Sequence, residues 1–250
     1  LTNIDKEHLD YYKSFGILKK NFKKFLDKTP SFGKAHVCLD NNYLREILKK
    51  SKTKNFLTYG FHKQANYQII NAEKNKFYSK FDIKIKIIGK KNKIIKSICI
   101  NMLGDHNILN SAASIAIALN LGISVNVIKK ALKKFSGIQR RFTKVFSHNG
   151  REFYDDYAHH PTEIKAVLNS ARQVYKKRKI ICVFQPHRYS RVKLLMKEFA
   201  LSFKLSDEVI LCPIYAAGEK IDHNFSQEHF SQLIANKSKT QVINIKNQKE

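Results

Sequence analysis

Residues 154–164, YDDYAHHPTEI, set two adjacent carboxylates, a phenol on each side of them and two adjacent imidazoles directly before a proline. An imidazole changes charge near neutrality and moves protons, and a neighbouring carboxylate orients it or approaches a metal. A second polar run, QPHRYSR at 185–191, contributes His187, Arg188 and Arg191. Two arginines against a lysine background favour planar, bidentate recognition of a carboxylate or phosphate. In GDHNILN, residues 104–110, His106 is followed by Asn107 and Asn110, which stand three apart and are neighbours on a helix surface. Their amides present paired donors and acceptors, which suits the edge of a base such as adenine. The opening LTNIDKEHLDYY holds Asp5, Glu7, His8 and Asp10, an oxygen-rich set with one imidazole that suits Mg²⁺ or Mn²⁺ better than zinc. Each run also has a plainer reading: a helix cap, a solvated basic turn, or a histidine satisfying a local hydrogen bond.

Something must bring these runs together. Apolar spacing predicts a helix over 14–28, a strand over 35–40, a helix over 41–50 and a strand over 55–61. From 67 to 100 the period changes to two, as in FDIKIKII, which predicts a β-rich segment. A long helix from His106 closes at Gly122, and a second follows with Ser124 as its cap. FSGIQRRF, carrying Arg140 and Arg141, is a junction. Strands near 142–154, 179–184, 208–212 and in TQVINI then alternate with helices from 161, from 190 and near 226–236. Such alternation predicts an α/β fold with a mostly parallel sheet. REFYDD would deliver Asp155 and Asp156 to that sheet's carboxyl edge, where such folds gather ligands. Pro161 suits the first helical position, so the free N–H groups of its helix would face His159 and His160 and form an anion site. KIICVF would bring His187, Arg188 and Arg191 to the same edge of the same sheet.

The 250 residues, 43% of them hydrophobic, can fill the core of one large domain or two ordinary ones. A formal charge of +27 from 47 Lys+Arg and 20 Asp+Glu attracts polyanions, so a basic nucleic-acid-binding protein is a competing class. The excess is mostly lysine spread beside Ile and Asn, which equally fits A/T-rich codon usage, and no helix-turn-helix, zinc-finger or RRM pattern is present. Cys38, Cys99, Cys182 and Cys212 form no CxxC pair, which points to a reducing cytoplasm. No apolar run is long enough to span a bilayer, so no membrane partner is expected. The chain opens on Leu1 within what reads as the end of an element, which predicts residues upstream.

Together, LTNIDKEHLDYY, GDHNILNSAA, GIQRRF, DDYAHHPTEI, FQPHRYSR and IYAAGE resemble the peptidoglycan Mur ligase family, in its alanine-adding branch. The resemblance runs from the first residues to about 220 and is most specific in DDYAHHPTE and QPHRYSR. It implies a bacterial cytoplasmic enzyme that uses ATP and Mg²⁺ to join L-alanine to UDP-N-acetylmuramate through an acyl phosphate. Position by position, it implies that His8 helps hold a Mg²⁺ and that His106, Asn107 and Asn110 meet adenine. Arg141 and Asp156 match the surface that closes on ATP. Tyr157, His159, His160, His187, Arg188 and Arg191 fall in the amino-acid and reaction pocket. Residues 1–138 then correspond to the later part of a central ATP-binding domain, and 139–250 to most of a Rossmann-like, amino-acid-binding C-terminal domain. A related tripeptide-recycling ligase shares this fold and differs in QPHRYSR. The family's Gly-rich P-loop has no counterpart here: Gly33-Lys34 and Gly89-Lys90 lack the earlier glycine and the following Ser or Thr. These 250 residues are therefore expected not to turn over alone. Oligomeric state is not legible.

Overall fold

The structure is a computed structural model that describes residues 1–75, 78–89 and 91–245; Lys90 of the Gly89-Lys90 pair lies outside them. Two compact units, Leu1–Ser136 and Gly137–Glu250, make up the chain.

The first unit runs α1 (Leu9–Tyr12), α2 (Phe15–Asp27), β1 (Ala35–Cys38), α3 (Asn42–Lys50), β2 (Phe56–Gly60), β3 (Tyr67–Lys74), β4 (Ser79–Ile85), β5 (Lys93–Ile100), α4 (Asp105–Asn120) and α5 (Val125–Lys134). Its sheet has the order β1-β2-β3-β4-β5, with β1, β2 and β3 parallel to one another and β4 and β5 continuing as antiparallel neighbours. Helix starts follow local chemistry: Ser14 accepts from the Ile17 N–H at 3.2 Å and Asn41 from the Leu44 N–H at 3.0 Å. The period-two stretch folds as read, with Ser79, Phe81 and Ile83 of β4 all buried. Along α4 the buried positions are Ile108, Ser111, Ala112, Ile115 and Ala116, a stripe at helical spacing that lies on the sheet. Gly122 ends that helix at φ 81°, its N–H donating to the Leu119 carbonyl at 3.1 Å. At the end of β2, Asp40 accepts the Phe61 and His62 N–H groups at 2.8 and 2.9 Å. Gly60 is needed there, because a Cβ would sit 2.5 Å from an Asp40 oxygen.

The second unit runs β6 (Thr143–His148), β7 (Arg151–Asp155), α6 (Pro161–Val174), β8 (Ile181–Phe184), α7 (Tyr189–Leu194), α8 (Met196–Ala200), β9 (Glu208–Leu211), α9 (Gln227–Ser238) and β10 (Gln241–Asn244). Strands β10-β9-β8 form a parallel sheet over a core of Phe199, Phe203, Phe230, Val209 and Ile234. The expectation that Asp155 and Asp156 end a strand of this same sheet is corrected: among the described residues β7 pairs only with β6, in a separate antiparallel hairpin. The cause is local, since Asn149 and Gly150 both take positive φ, 46° and 71°, and an Asn-Gly turn of that kind folds the chain straight back. A cavity of about 470 Å³ lies between β7, α6 and β8 and is lined by Phe153, Leu168, Ile181 and Val183 among others. The helix expected from residue 190 begins at Tyr189 and breaks at Leu195 into two short pieces.

Among the described residues no helix is long and apolar enough to cross a membrane. All four cysteines are free thiols.

Phe81 is fully buried at the centre of the first core. Replacing it with Ala should lower that unit's unfolding free energy by about 3–5 kcal/mol in urea titration; a loss below about 1 kcal/mol would contradict the packing described.

Candidate functional site

In the second unit, three loops that leave strands converge. The first, after β7, is tied back to the junction before β6. Arg140 and Phe142 take positive φ, 60° and 51°, which turns the chain so that the Arg140 carbonyl receives the Tyr157 N–H at 2.8 Å. Asp156 completes the bond set: its carboxylate accepts the Phe142 N–H and the Ala158 N–H, each at 2.7 Å. Burial raises the Asp156 carboxyl above its ordinary value, against the pull of those two N–H donors and of Arg141. Asp156 is thus largely occupied in tying the RRF turn to the segment before α6.

The start of α6 differs from the open anion site expected there, and that expectation is corrected. His160 is its N-cap, 4% exposed, and its Nδ1 accepts the Thr162 N–H at 3.3 Å. Glu163 reciprocates, taking the His159 and His160 N–H groups at 3.0 and 3.2 Å. This is a capping box with histidine in the serine position, so a carboxylate of the chain itself already holds the helix start. Glu163 also faces the Arg141 guanidinium at 3.8 Å and His159 Nδ1 at 3.7 Å.

Around this frame, side chains gather on the exposed lip. The Arg140 guanidinium lies over the Tyr157 ring at 4.8 Å, with Arg141 at 6.0 Å. The Tyr157 and His159 rings are 5.1 Å apart, His159 and His187 are 6.0 Å apart, and His187 and Tyr215 are 5.4 Å apart. From α7, Arg191 Nη1 donates to His187 Nδ1 at 3.4 Å. Arginine is always a donor, so the imidazole nitrogen it meets must be unprotonated. Consistently, His187 is lowered from its ordinary value, first by burial and then by the charges of Arg191, His159 and Arg188, with Glu219 opposing. Arg188 stands at φ 69°, its N–H donating to the Tyr215 carbonyl at 2.9 Å.

Five sequence-predicted residues therefore meet on one lip: Tyr157, His159, His187, Arg191 and Arg141. Arg188 joins them through its backbone, whereas His160 and Asp156 lie behind the lip and hold its shape. A lip of imidazole and guanidinium groups suits a carboxylate or phosphate.

The remaining predicted residues lie in the first unit. His106, Asn107 and Asn110 open α4, with Gly104 as N-cap at φ 89°. The Asn107 side-chain amide donates to the Leu103 carbonyl at 2.8 Å, which leaves its oxygen for any base edge. Asp105 pairs with Lys74 at 2.7 Å, which offsets its charge beside that helix start. His8 is exposed at φ 54° before α1. Among the described residues no three His, Cys, Asp or Glu side chains form a group that could hold a metal, so Asp5, Glu7, His8 and Asp10 are not gathered as the oxygen-rich reading expected.

Sequence reasoning missed Glu163, Tyr215, Ser190 and Glu219. The spacing His160-x-x-Glu163 was a legible capping-box signal. Nothing local links Ser190 to Glu219.

Comparison with known proteins follows these divisions. Residues 1–118 match the Mur ligase middle domain, and residues 140–250 match the domain described as Mur ligase, glutamate ligase domain. The UDP-N-acetylmuramate--L-alanine ligase of Pelagibacter ubique is 52% identical over 248 residues, which is 99% of this chain and 53% of that protein. That of Bartonella tribocorum is 42% identical over 235 residues, 94% of this chain and 49% of that protein. The chain spans about half the length of the curated relatives it matches. Among solved structures, the UDP-N-acetylmuramate-alanine ligase from Thermotoga maritima superposes with a TM-score of 0.72 at 24% identity, over 98% of this chain and 50% of that one. MurF from Acinetobacter baumannii gives 0.69 at 17% identity, over 97% of this chain and 49% of that one. At these identities the two structures speak for the fold.

Two measurements check the geometry. Glu163→Ala should cost about 1 kcal/mol of unfolding free energy, and Glu163→Gln, which keeps an acceptor, less; equal losses would argue against the capping box. In an NMR titration the His187 midpoint should fall below the ordinary histidine value and rise when Arg191 becomes Ala. The sign follows from a lowered folded value: the neutral ring's contribution to stability is present above the ordinary value and lost as pH falls through the folded one.

Proposed function

Because the chain belongs to the Mur ligase family, we propose that it serves the ATP-dependent ligation of L-alanine to UDP-N-acetylmuramate, the step that begins the peptide of a peptidoglycan precursor. The identity of 52% to a relative named for that reaction supports the substrate pair. In this reading residues 1–138 belong to the ATP-binding domain and 139–250 form most of the amino-acid-binding domain.

The chemistry asks for three things. The muramate carboxylate attacks the γ-phosphorus of ATP, an acyl phosphate forms with loss of ADP, and the alanine nitrogen attacks the acyl carbon as phosphate leaves. Anions must be neutralised, the amino acid must be oriented, and its ammonium must shed a proton. Arg188 and Arg191 are suited to the carboxylate of L-alanine. His187, kept neutral by burial and by its guanidinium neighbours, accepts from Arg191 at Nδ1 and so keeps its proton on Nε2, where it can donate to the carboxylate of L-alanine; His159 stands across from it. Tyr157, under Arg140, forms a wall of the same lip. Arg141 and Asp156 belong to the turn that would meet ATP, and His106, Asn107 and Asn110 to the helix start that would meet its adenine. His160 acts by holding the helix start, not by touching substrate. Bound Mg²⁺ would neutralise the phosphates; the residues around His8 do not assemble a donor set for it, so no step is assigned to them.

The observation that carries this reading is the convergence of His159, His187 and Arg191 on one exposed lip. Phosphate release from ATP and UDP-N-acetylmuramate, using the polypeptide as its gene encodes it, should be stimulated by L-alanine. His187→Ala or Arg188→Ala should reduce that stimulation by about 100-fold or more. Stimulation by a tripeptide in place of L-alanine would redirect the assignment to a recycling ligase, and salt-sensitive binding to nucleic acid with no phosphate release would overturn it.

A further inference from the structure

We propose that Glu219, in the loop after β9, is the positioning residue for the arginine side of this site, setting the backbone of Arg188 and the direction of α7. The proposal deepens the ligase reading above and rests on it for its kinetic consequence.

Arg188 adopts φ 69°, a conformation that side-chain-bearing residues keep only where their surroundings impose it. Its own side chain makes no cap for the helix it precedes. Two residues on, the loop after β9 adds a constraint: one Glu219 carboxylate oxygen accepts the Ser190 N–H at 3.1 Å and the other accepts the Ser190 hydroxyl. Two backbone bonds flank this clasp, Arg188 N–H to the Tyr215 carbonyl at 2.9 Å and Tyr215 N–H to the Pro186 carbonyl at 2.8 Å. Ala217 and Gly218, at φ 51° and 87°, bend the loop so that Glu219 returns to the helix start.

The same loop holds α7 at two further points. Lys193 pairs with Asp222, and the Tyr189 ring meets Phe225 edge-on at 5.8 Å. Phe225 in turn packs on the buried Phe230 at 6.0 Å. One face of this six-residue helix is therefore tied to the loop, which leaves Arg191 to reach His187. Burial works to raise Glu219, yet the Ser190 hydrogen bonds and the Arg188 charge outweigh it and hold the carboxyl below its ordinary value. An ionised carboxylate that accepts two bonds from one residue is a stiff anchor. It also offsets positive charge where Arg188 and Arg191 lie close together.

The test uses the polypeptide as its gene encodes it, with the KM for L-alanine, the KM for ATP and the backbone amide shift of Arg188 as readouts. Glu219→Ala should raise the KM for L-alanine about tenfold, leave that for ATP in place, and move the Arg188 amide. Ser190→Ala, which removes only the hydroxyl and is tolerated more easily, should shift both readouts in the same direction. Glu219→Gln should recover most of the loss, because it keeps an acceptor for the Ser190 N–H. A folded Glu219→Ala protein with an unmoved Arg188 amide would overturn the proposal. So would equal losses in Gln and Ala, which would mean that the charge itself meets the substrate. If the Arg188 amide moves as expected but L-alanine stimulates no phosphate release in the unaltered protein, the clasp stands and the ligase reading falls.

Discussion

The half-buried carboxylate of Asp156 is the contact on which the second unit's site depends. It receives two main-chain N–H groups, from Phe142 before the hairpin and from Ala158 after it. The chain leaves the junction, runs out and back through β6 and β7, and is closed at the base by this side chain and by the Tyr157 N–H bond to the Arg140 carbonyl. With the Tyr157 N–H bond to the Arg140 carbonyl, it fixes Tyr157 and His159 relative to Arg140 and Arg141. Its partial burial is offset because its acceptors are filled. An amide there would present a donor to one of two N–H groups.

Backbone strain gathers around the same loops. Arg140, Phe142, Arg188 and Ala217 all have positive φ without being glycine. Such positions cost about 1–3 kcal/mol each and persist where neighbouring contacts over-determine them. Here the contacts are visible: the Asp156 bridge for Phe142, the Tyr215 carbonyl for Arg188, and the Glu219 clasp that the turn at Ala217 makes possible. The rigid part of each loop sits behind the lip, and the aromatic, imidazole and guanidinium groups stand on it. Half of the Tyr157 surface and more than half of that of Tyr215 remain open to solvent. The lip is therefore built to be approached, on a support held by hydrogen bonds between its own loops.

Charge has a narrower meaning than the net value implies. The +27 excess is distributed through both units, mostly on lysines. Arginine is concentrated differently: Arg140, Arg141 and Arg188 belong to the loops around the site and Arg191 to α7 beside them. Bidentate geometry and stacking on tyrosine explain why arginine, and not another lysine, occupies those positions. The acidic groups among them, Asp155, Glu163 and Glu219, each face one of these guanidiniums or lie near its charge. Repulsion within a crowded basic edge is relieved there without cancelling its sign.

Much of this was legible in the chain itself. Apolar period located β4 and α4, Pro161 located the start of α6, and the residue types of YDDYAHHP and QPHRYSR announced chemistry before any fold was known. Local signals have this power because a helix cap, a turn or an alternating strand involves residues within a few positions of one another. Other features needed the tertiary structure. The Asn149-Gly150 turn was readable, yet that it would keep β7 out of the parallel sheet was not. The inward burial of His160 and its exchange of hydrogen bonds with Glu163 turned an expected anion site into a closed cap. Glu219 reaches Ser190 across 29 residues, and no spacing rule connects them. The sequence by itself determined which groups could act; the packing of loops from distant strands decided which of them meet, because side-chain convergence depends on contacts between segments that carry no mark of one another.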